Sequence, residues 1–392
     1  MSSGHDARTA GKIAADSVDP PVDPDASEVA PADPTADPTA DPTADPTAGG
    51  ASSRPPAKRR IGGQVFGVVC LVAAWFGVLV LAVLLVGTVV EAWGWLDWQF
   101  LSSNPAVNDP EASGTRPGIW GTLWLILLTG LFAVPVGVGA AVYIEEFASD
   151  SWLRKLVQVN LANLAGVPSV VYGILGLSVF VKMFGLMPDD AQLAIPPSSM
   201  LQWQVPFTDS QVRLSQMRIP LPFGRTVISG ALTMALLILP VIIVASQEAL
   251  RAVPPSIRHA SLALGATKWQ TIRRQVLPAA APGIMTGVIL AISRAIGETA
   301  PLVILGAATF IPRSPGGIES VSDLVSKPDG IVQAPFDSFT TMTLQIYGWI
   351  EETNRDYKHV TAAGILVVLA VLLVLNSLAI LIRNRFQRFV KW

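Results

Sequence analysis

The sequence predicts an all-α integral membrane protein with six transmembrane helices. Of its 392 residues, 51% are hydrophobic and only 14% charged, where a soluble domain carries about 25% charged residues. The first 60 residues contain no Leu, Phe, Trp or Tyr, so the bulky apolar side chains crowd into the rest. That remainder holds six charge-poor runs, each at or above the roughly 20 residues that cross a bilayer core.

Residues 1–60 read as an acidic cytoplasmic tail. Ala-Asp-Pro-Thr repeats from Ala32 to Ala48; proline at every fourth position forbids helix and nothing there buries a core, so the tail is expected to be disordered. It is either a solvated tether or a regulatory segment. No apolar core follows Met1, so it does not read as a signal peptide.

The first span is Ile61–Val90, with Trp93, Trp95 and Trp98 placed as interfacial anchors. It forms, with its outer loop, a segment 61–118. A transmembrane domain over 119–385 follows, and then a basic tail over 386–392. The second, third, fourth and sixth spans are Ile119–Ile144, Leu156–Val181, Thr226–Gln247 and Val360–Ile382, all without Asp, Glu, Lys, Arg or His. Pro135, Pro168 and Pro240 kink three of them, for packing or to line a path. Asn160 and Asn163 are expected to hydrogen-bond between helices, and Glu145 and Glu146 to solvate a helix end. The fifth span, Val276–Phe310, is interrupted only by Arg294 and Glu298. Gly283 and Gly287 near its start permit close helix approach.

Orientation follows from Lys and Arg. With the N-terminus inside, fifteen of them between Arg54 and Lys391 fall on the inner side and nine on the outer, over longer loops. Both termini are therefore placed in the cytoplasm. The outer loops 182–225 and 311–359 either dock an extracellular partner or cover helix ends.

Several function classes are excluded. The net charge of −2 splits as −4 over residues 1–60 and +2 beyond, without the basic excess of a nucleic-acid binder. One cysteine, Cys70, and three scattered histidines, His5, His259 and His359, supply no disulfide framework and no metal site. No phosphate-cradling G-x-x-x-x-G-K-[ST] occurs, so the chain does not hold ATP in the usual way. No nucleophile–base arrangement points to an enzyme. A secondary transporter usually shows internal repeats, and spans 1–3 and 4–6 show no clear one.

The loop 248–278 is the most patterned segment outside the spans. Pro254-Pro255 stop one helix, Ser256 N-caps a short one over Ile257–Leu264, and Gly265 closes it as a left-handed cap. A second helix runs from Thr267 to Val276 before Leu277-Pro278 turn the chain back into the membrane. Trp269, Ile272 and Val276 along one face make a hydrophobic knob, covered by a partner or lying on the membrane surface.

Ala260, Gly265, Ala266, Leu277 and Pro278, with Ala-Leu-Gly-Ala-Thr-Lys-Trp between, resemble the signature loop of bacterial ABC importer permeases. Tyr143-Ile-Glu-Glu-Phe147, Gly166-Val-Pro-Ser-Val-Val-Tyr-Gly173 and Ala295-Ile-Gly-Glu-Thr-Ala-Pro301 are similar to the permease A subunits of phosphate-specific ABC transport systems. The likeness spans about residues 61–392, with loop 186–222 as an extracytoplasmic insertion. It implies the type I ABC importer permease fold and a non-catalytic subunit that moves inorganic phosphate into the cell by alternating access. It also implies partners: a second permease subunit, ATP-binding subunits that hydrolyse the ATP, and an extracytoplasmic phosphate-binding protein. The chain itself would bind no cofactor and would sit in a bacterial cell membrane. Arg258, His259, Ala260, Gly265, Ala266, Trp269, Leu277 and Pro278 would form the ATPase-coupling surface. The family's Glu-Ala-Ala is here His259-Ala260-Ser261.

Arg294 and Glu298 carry the chemistry. An Arg at the centre of a membrane helix costs about 2.5–3.5 kcal/mol on insertion scales, so it should face protein or a wet cavity. At i, i+4 the two side chains share one helix face. The guanidinium fork matches an oxyanion bidentately. Hydrogen phosphate keeps an O–H for the carboxylate to accept and sulfate has none, which discriminates between them. The pair is a substrate path or a structural staple on position alone; the resemblance implies the path, with Thr299 beside it. Another oxyanion or a phosphonate is the alternative substrate.

Overall fold

The computed structural model describes residues 57–106, 109–148, 152–186 and 222–387, and four short stretches between 187 and 221. The Ala-Asp-Pro-Thr tail and residues 388–392 of the basic tail lie outside the described residues. Contacts divide the chain within its first helix, between Val72 and Ala73; of the first unit, the described part is helical from Ala57.

The elements in order are α1 (Ala57–Ala92), α2 (Trp98–Ser102), α3 (Arg116–Val142), α4 (Trp152–Ala165), α5 (Ser169–Gly176), α6 (Val227–Arg251), α7 (Pro255–Ala263), α8 (Lys268–Thr271), α9 (Leu277–Gly297), α10 (Ala300–Leu305), α11 (Asp323–Ser326), α12 (Pro328–Gln333), α13 (Met342–Glu351) and α14 (Tyr357–Gln387). Wide π turns extend α3 through Tyr143–Phe147, extend α5 through Leu177–Val181, and join α8 to α9 through Ile272–Val276.

Five stretches are long and apolar enough to cross a membrane: Val65–Ala92, Arg116–Phe147, Val227–Arg251, Lys268–Gly297 and Tyr357–Arg385. They match five of the six expected spans. The remaining one, the third span Leu156–Val181, is one apolar run but two helices, with Arg154–Ala165 and Ser169–Val181 meeting at 103°. The cause is local. Pro168 offers no N–H and keeps the residue before it out of α geometry, so α4 ends on Gly166 and Val167 amides donating to Asn163 and Leu164 carbonyls. The Tyr172 hydroxyl also donates to the Leu164 carbonyl, at 2.9 Å. Pro135 and Pro240, by contrast, lie inside unbroken helices.

The centre of the bundle is α6, whose Val227, Ala231, Met234, Ile238, Ile242 and Leu250 are fully buried. It packs between α3 and α9. The approach to α9 depends on Gly283 and Gly287: a Cβ at Gly283 would come within 2.7 Å of the Ala249 Cβ, and one at Gly287 would collide with Ala245. Polar links join α9 to α14, through Ser293 and Asn376 at 2.6 Å and Arg383 and Thr286 at 3.2 Å. Asn160 does not bridge helices; its amide donates to the Leu156 carbonyl of its own helix.

From Ala73 onward α1 stays largely exposed, with Trp75, Phe76, Leu79 and Leu84 facing outward. Its last turn is clamped to the start of α14, where the Glu91 carboxylate pairs with Lys358 at 3.1 Å and Trp95 stacks on the His359 ring. Among the described residues of loop 186–222, two short antiparallel ladders nest: β1 (Gln192–Ala194) pairs with β4 (Arg218–Pro220), and β2 (Gln202–Gln204) with β3 (Gln211–Arg213). The expected all-helical architecture therefore holds for the bundle, and this insertion adds four three-residue strands to it.

Candidate substrate path and coupling surface

Val276–Phe310 is not one continuous span. The α9 helix ends at Gly297, Glu298 is extended at φ −89° and ψ 114°, and α10 restarts at Ala300 with Pro301 in its first turn. Arg294 thus occupies the last turn of α9, and Glu298 lies just beyond the helix instead of on its face. They still meet, with Arg294 Nε 3.4 Å from Glu298 Oε1. The cation suits this position because the last carbonyls of a helix are unpaired and carry partial negative charge. Thr299 caps α10 with its backbone carbonyl, which accepts from the Leu302 amide at 3.0 Å.

The Arg294 side chain is 49% exposed and that of Glu298 23%. Leu290, one turn earlier on the same face, is 64% exposed. This chain therefore leaves the face that carries the guanidinium uncovered. Behind it, two of the motifs singled out in the sequence touch: a Cβ at Gly173 would sit 2.9 Å from the Pro301 Cα and carbonyl oxygen.

At the opposite end of α9 is the knob. Pro254 caps α7 and Pro255 takes its first position, two residues earlier than a Ser256 cap would allow. Gly265 is left-handed at φ +83°, and the Ala266 amide reaches back to the Ser261 carbonyl, as the expected cap requires. Thr267 and Gln270 then cap α8 reciprocally. Leu277-Pro278 do not turn the chain. The Leu277 amide bonds to the Ile272 carbonyl five residues back, and helix runs without a break from Lys268 to Gly297. The wide turn ahead of Pro278 spares the helix the loss that a proline amide would impose within regular α bonding.

Of the expected coupling residues, His259, Ala260, Gly265, Trp269 and Pro278 are exposed, whereas Ala266 and Leu277 are half-buried. Trp269 does not share a face with Ile272 and Val276. Those two are buried in the core, while Trp269 is 56% exposed and leans on Phe147. Leu264, 88% exposed, stands at the tip.

Arg258 turns inward. It donates to Glu146 Oε1 from Nε at 3.1 Å and from Nη2 at 2.7 Å. It also donates to the carbonyls of Val253 at 2.7 Å and Leu250 at 2.9 Å. Neighbouring Glu145 pairs with Arg251 at 3.0 Å and Arg154 at 3.6 Å. These carboxylates do not solvate a helix end; they are the joint between α3, α4, α6 and α7, and sequence reasoning missed that role. The available signal was two adjacent acids closing an apolar span, with an Arg standing in the patterned loop.

Residues 133–392 match the family of binding-protein-dependent transport system inner membrane components. The chain belongs to that family. Membership makes it an inner membrane component of a binding-protein-dependent transport system. A probable ABC transporter permease of Bacillus subtilis, YqgH, is 35% identical over 221 residues, 55% of this chain and 61% of that protein. The phosphate transport permease PstC of Pasteurella multocida is 32% identical, covering 62% of this chain and 72% of its own length. PstA 1 of Mycobacterium tuberculosis is 32% identical, covering 55% and 60%. The chain thus spans about three fifths to three quarters of these relatives' lengths.

Proposed function

We propose that the chain is the permease subunit of an ATP-driven importer of inorganic phosphate, working by alternating access in a bacterial cell membrane with both termini in the cytoplasm. The observation that carries this reading is Arg294, half-exposed beside Leu290 on an uncovered helix face. A guanidinium there belongs against another protein or a wet path and not against hydrocarbon. Its fork takes two phosphate oxygens. Glu298 accepts the O–H of hydrogen phosphate and repels sulfate, with Thr299 at the edge of the same break.

One Arg is sparse for a dianion, so a second permease subunit completes the wall; relatives named for both kinds of phosphate permease fit such a pair. Separate ATP-binding subunits seat on the apolar tip around Leu264 and Trp269 and hydrolyse the ATP, and the chain binds no cofactor itself. An extracytoplasmic phosphate-binding protein delivers the ion. Because α8 and α9 form one continuous helix, movement of the knob shifts Arg294 at its far end.

The test is uptake of radiolabelled phosphate by the reconstituted complex with ATP and excess sulfate. Sulfate-resistant uptake that falls at least tenfold in Arg294→Gln is the expected result. Unchanged uptake in the variant makes the pair a staple, and competition by sulfate or a phosphonate moves the substrate to that oxyanion.

A further inference from the structure

We infer that Glu146 is the positioning residue through which movement of α7 reaches α3, making the Arg258–Glu146 pair a second route from the coupling knob to the substrate face. This rests on the reading that the knob seats an ATPase. The continuous α8–α9 helix is one route, and it leaves α7 unaccounted for. Among the described residues α7 has no fully buried side chain; Ile257 is only partly buried against the core, and the Ser261 hydroxyl meets Thr271 Oγ1 of α8 at 2.9 Å. The polar hold of α7 on α3 and α6 is Arg258. That one guanidinium spans the α6 end carbonyls at Leu250 and Val253 and the nearly buried Glu146 on the π turn that closes α3. A charge-assisted contact of this length is strong and directional, and removing one partner of such a pair leaves the other charge poorly solvated.

From Glu146 the α3 helix runs inward past Gly137, whose missing Cβ lets Ile242 of α6 approach, to Gly130, where a Cβ would meet the Ile292 Cδ1 of α9 at 3.7 Å. Ile292 stands two residues before Arg294. The distance covered along α3 is about 24 Å at 1.5 Å per residue. A pull on Glu146 therefore arrives on α9 two residues, about half a turn, before Arg294. The neighbouring Glu145 does different work, because its partners lie on α6 and α4 and not on the knob.

The experiment measures phosphate taken up per ATP hydrolysed in the reconstituted complex, for wild type, Glu146→Gln, Arg258→Gln and the double variant, normalised to complex that copurifies with its ATPase. A merely structural contact changes how much complex assembles and leaves that ratio alone. The expected result is a ratio at least fivefold lower in each single variant, and no lower in the double variant than in the worse single, as for residues acting as a unit. An unchanged ratio in Glu146→Gln, or losses that multiply in the double variant, overturns the inference. Should Glu146→Gln not assemble, Glu146→Asp keeps the charge on a stem one methylene shorter. An intermediate ratio there upholds the inference and a wild-type ratio overturns it. A wild-type complex that neither holds an ATPase nor uses ATP overturns the reading underneath, and the Arg258–Glu146 route with it.

Discussion

Gly265 fixes the shape of the coupling knob. Its φ of +83° lies where an L side chain costs about 1–2 kcal/mol, and a Cβ there would meet nothing within 4 Å. The penalty is therefore purely conformational. Gly265→Ala should weaken copurification with the ATPase about three- to tenfold, while Gly265→Asn, better tolerated in this region, should lose less; equal losses would point to a side-chain clash with the partner. His259 is exposed six residues earlier, so His259→Glu should leave uptake intact or improve it. The cap was legible because a glycine followed by a threonine N-cap is a local signal. The roles of Arg258, Glu145 and Glu146 were not, because their partners lie 106 and 112 residues apart in sequence and an ion pair leaves no periodicity.

Between one element and the next, hydropathy reports composition and not direction. Five spans were legible for that reason, and the 103° turn at Pro168 was not, since Leu156–Val181 is as apolar as a straight helix. The break at Glu298 was hidden likewise within a run that reads as continuous. Just past that second break, Gly173 packs closely against Pro301. Gly173→Val would drive methyl groups into backbone, and overpacking of this kind costs about 1–3 kcal/mol. It should lower the melting temperature of the detergent-solubilised complex and reduce uptake; an unchanged melting temperature would mean that α5 and α10 part easily. Outside the bundle, Asp323 at the start of α11 accepts from the Glu319 and Ser320 amides at 2.9 and 3.2 Å. The Glu319 bond foremost holds its carboxyl below the usual carboxylate range, with Lys327 adding to it. A lowered folded value means that this turn is tightest above about pH 4 and loosens as pH falls through the lowered value. Hydrogen-exchange protection of the Glu319 amide should fall there, and Asp323→Asn should remove the pH dependence.

At the scale of the molecule, the proposed topology puts loop 311–359 outside and loop 248–278 inside. In a Cys70→Ser background, Ser320→Cys should react with a membrane-impermeant maleimide in intact cells. Ser256→Cys should react only after permeabilisation. The reverse pattern would invert the protein and remove the ATPase from the knob. The uncovered face at Leu290 and Arg294 also bears on the chain's life before assembly. An orphaned copy would hold the guanidinium against lipid, at a cost below the about 2.5–3.5 kcal/mol of an Arg at a helix centre because α9 ends three residues later, and an unassembled copy is open to proteolysis. Its cellular half-life should then track the supply of its companion subunit, and Arg294→Leu should lengthen the survival of the orphan even as it abolishes transport.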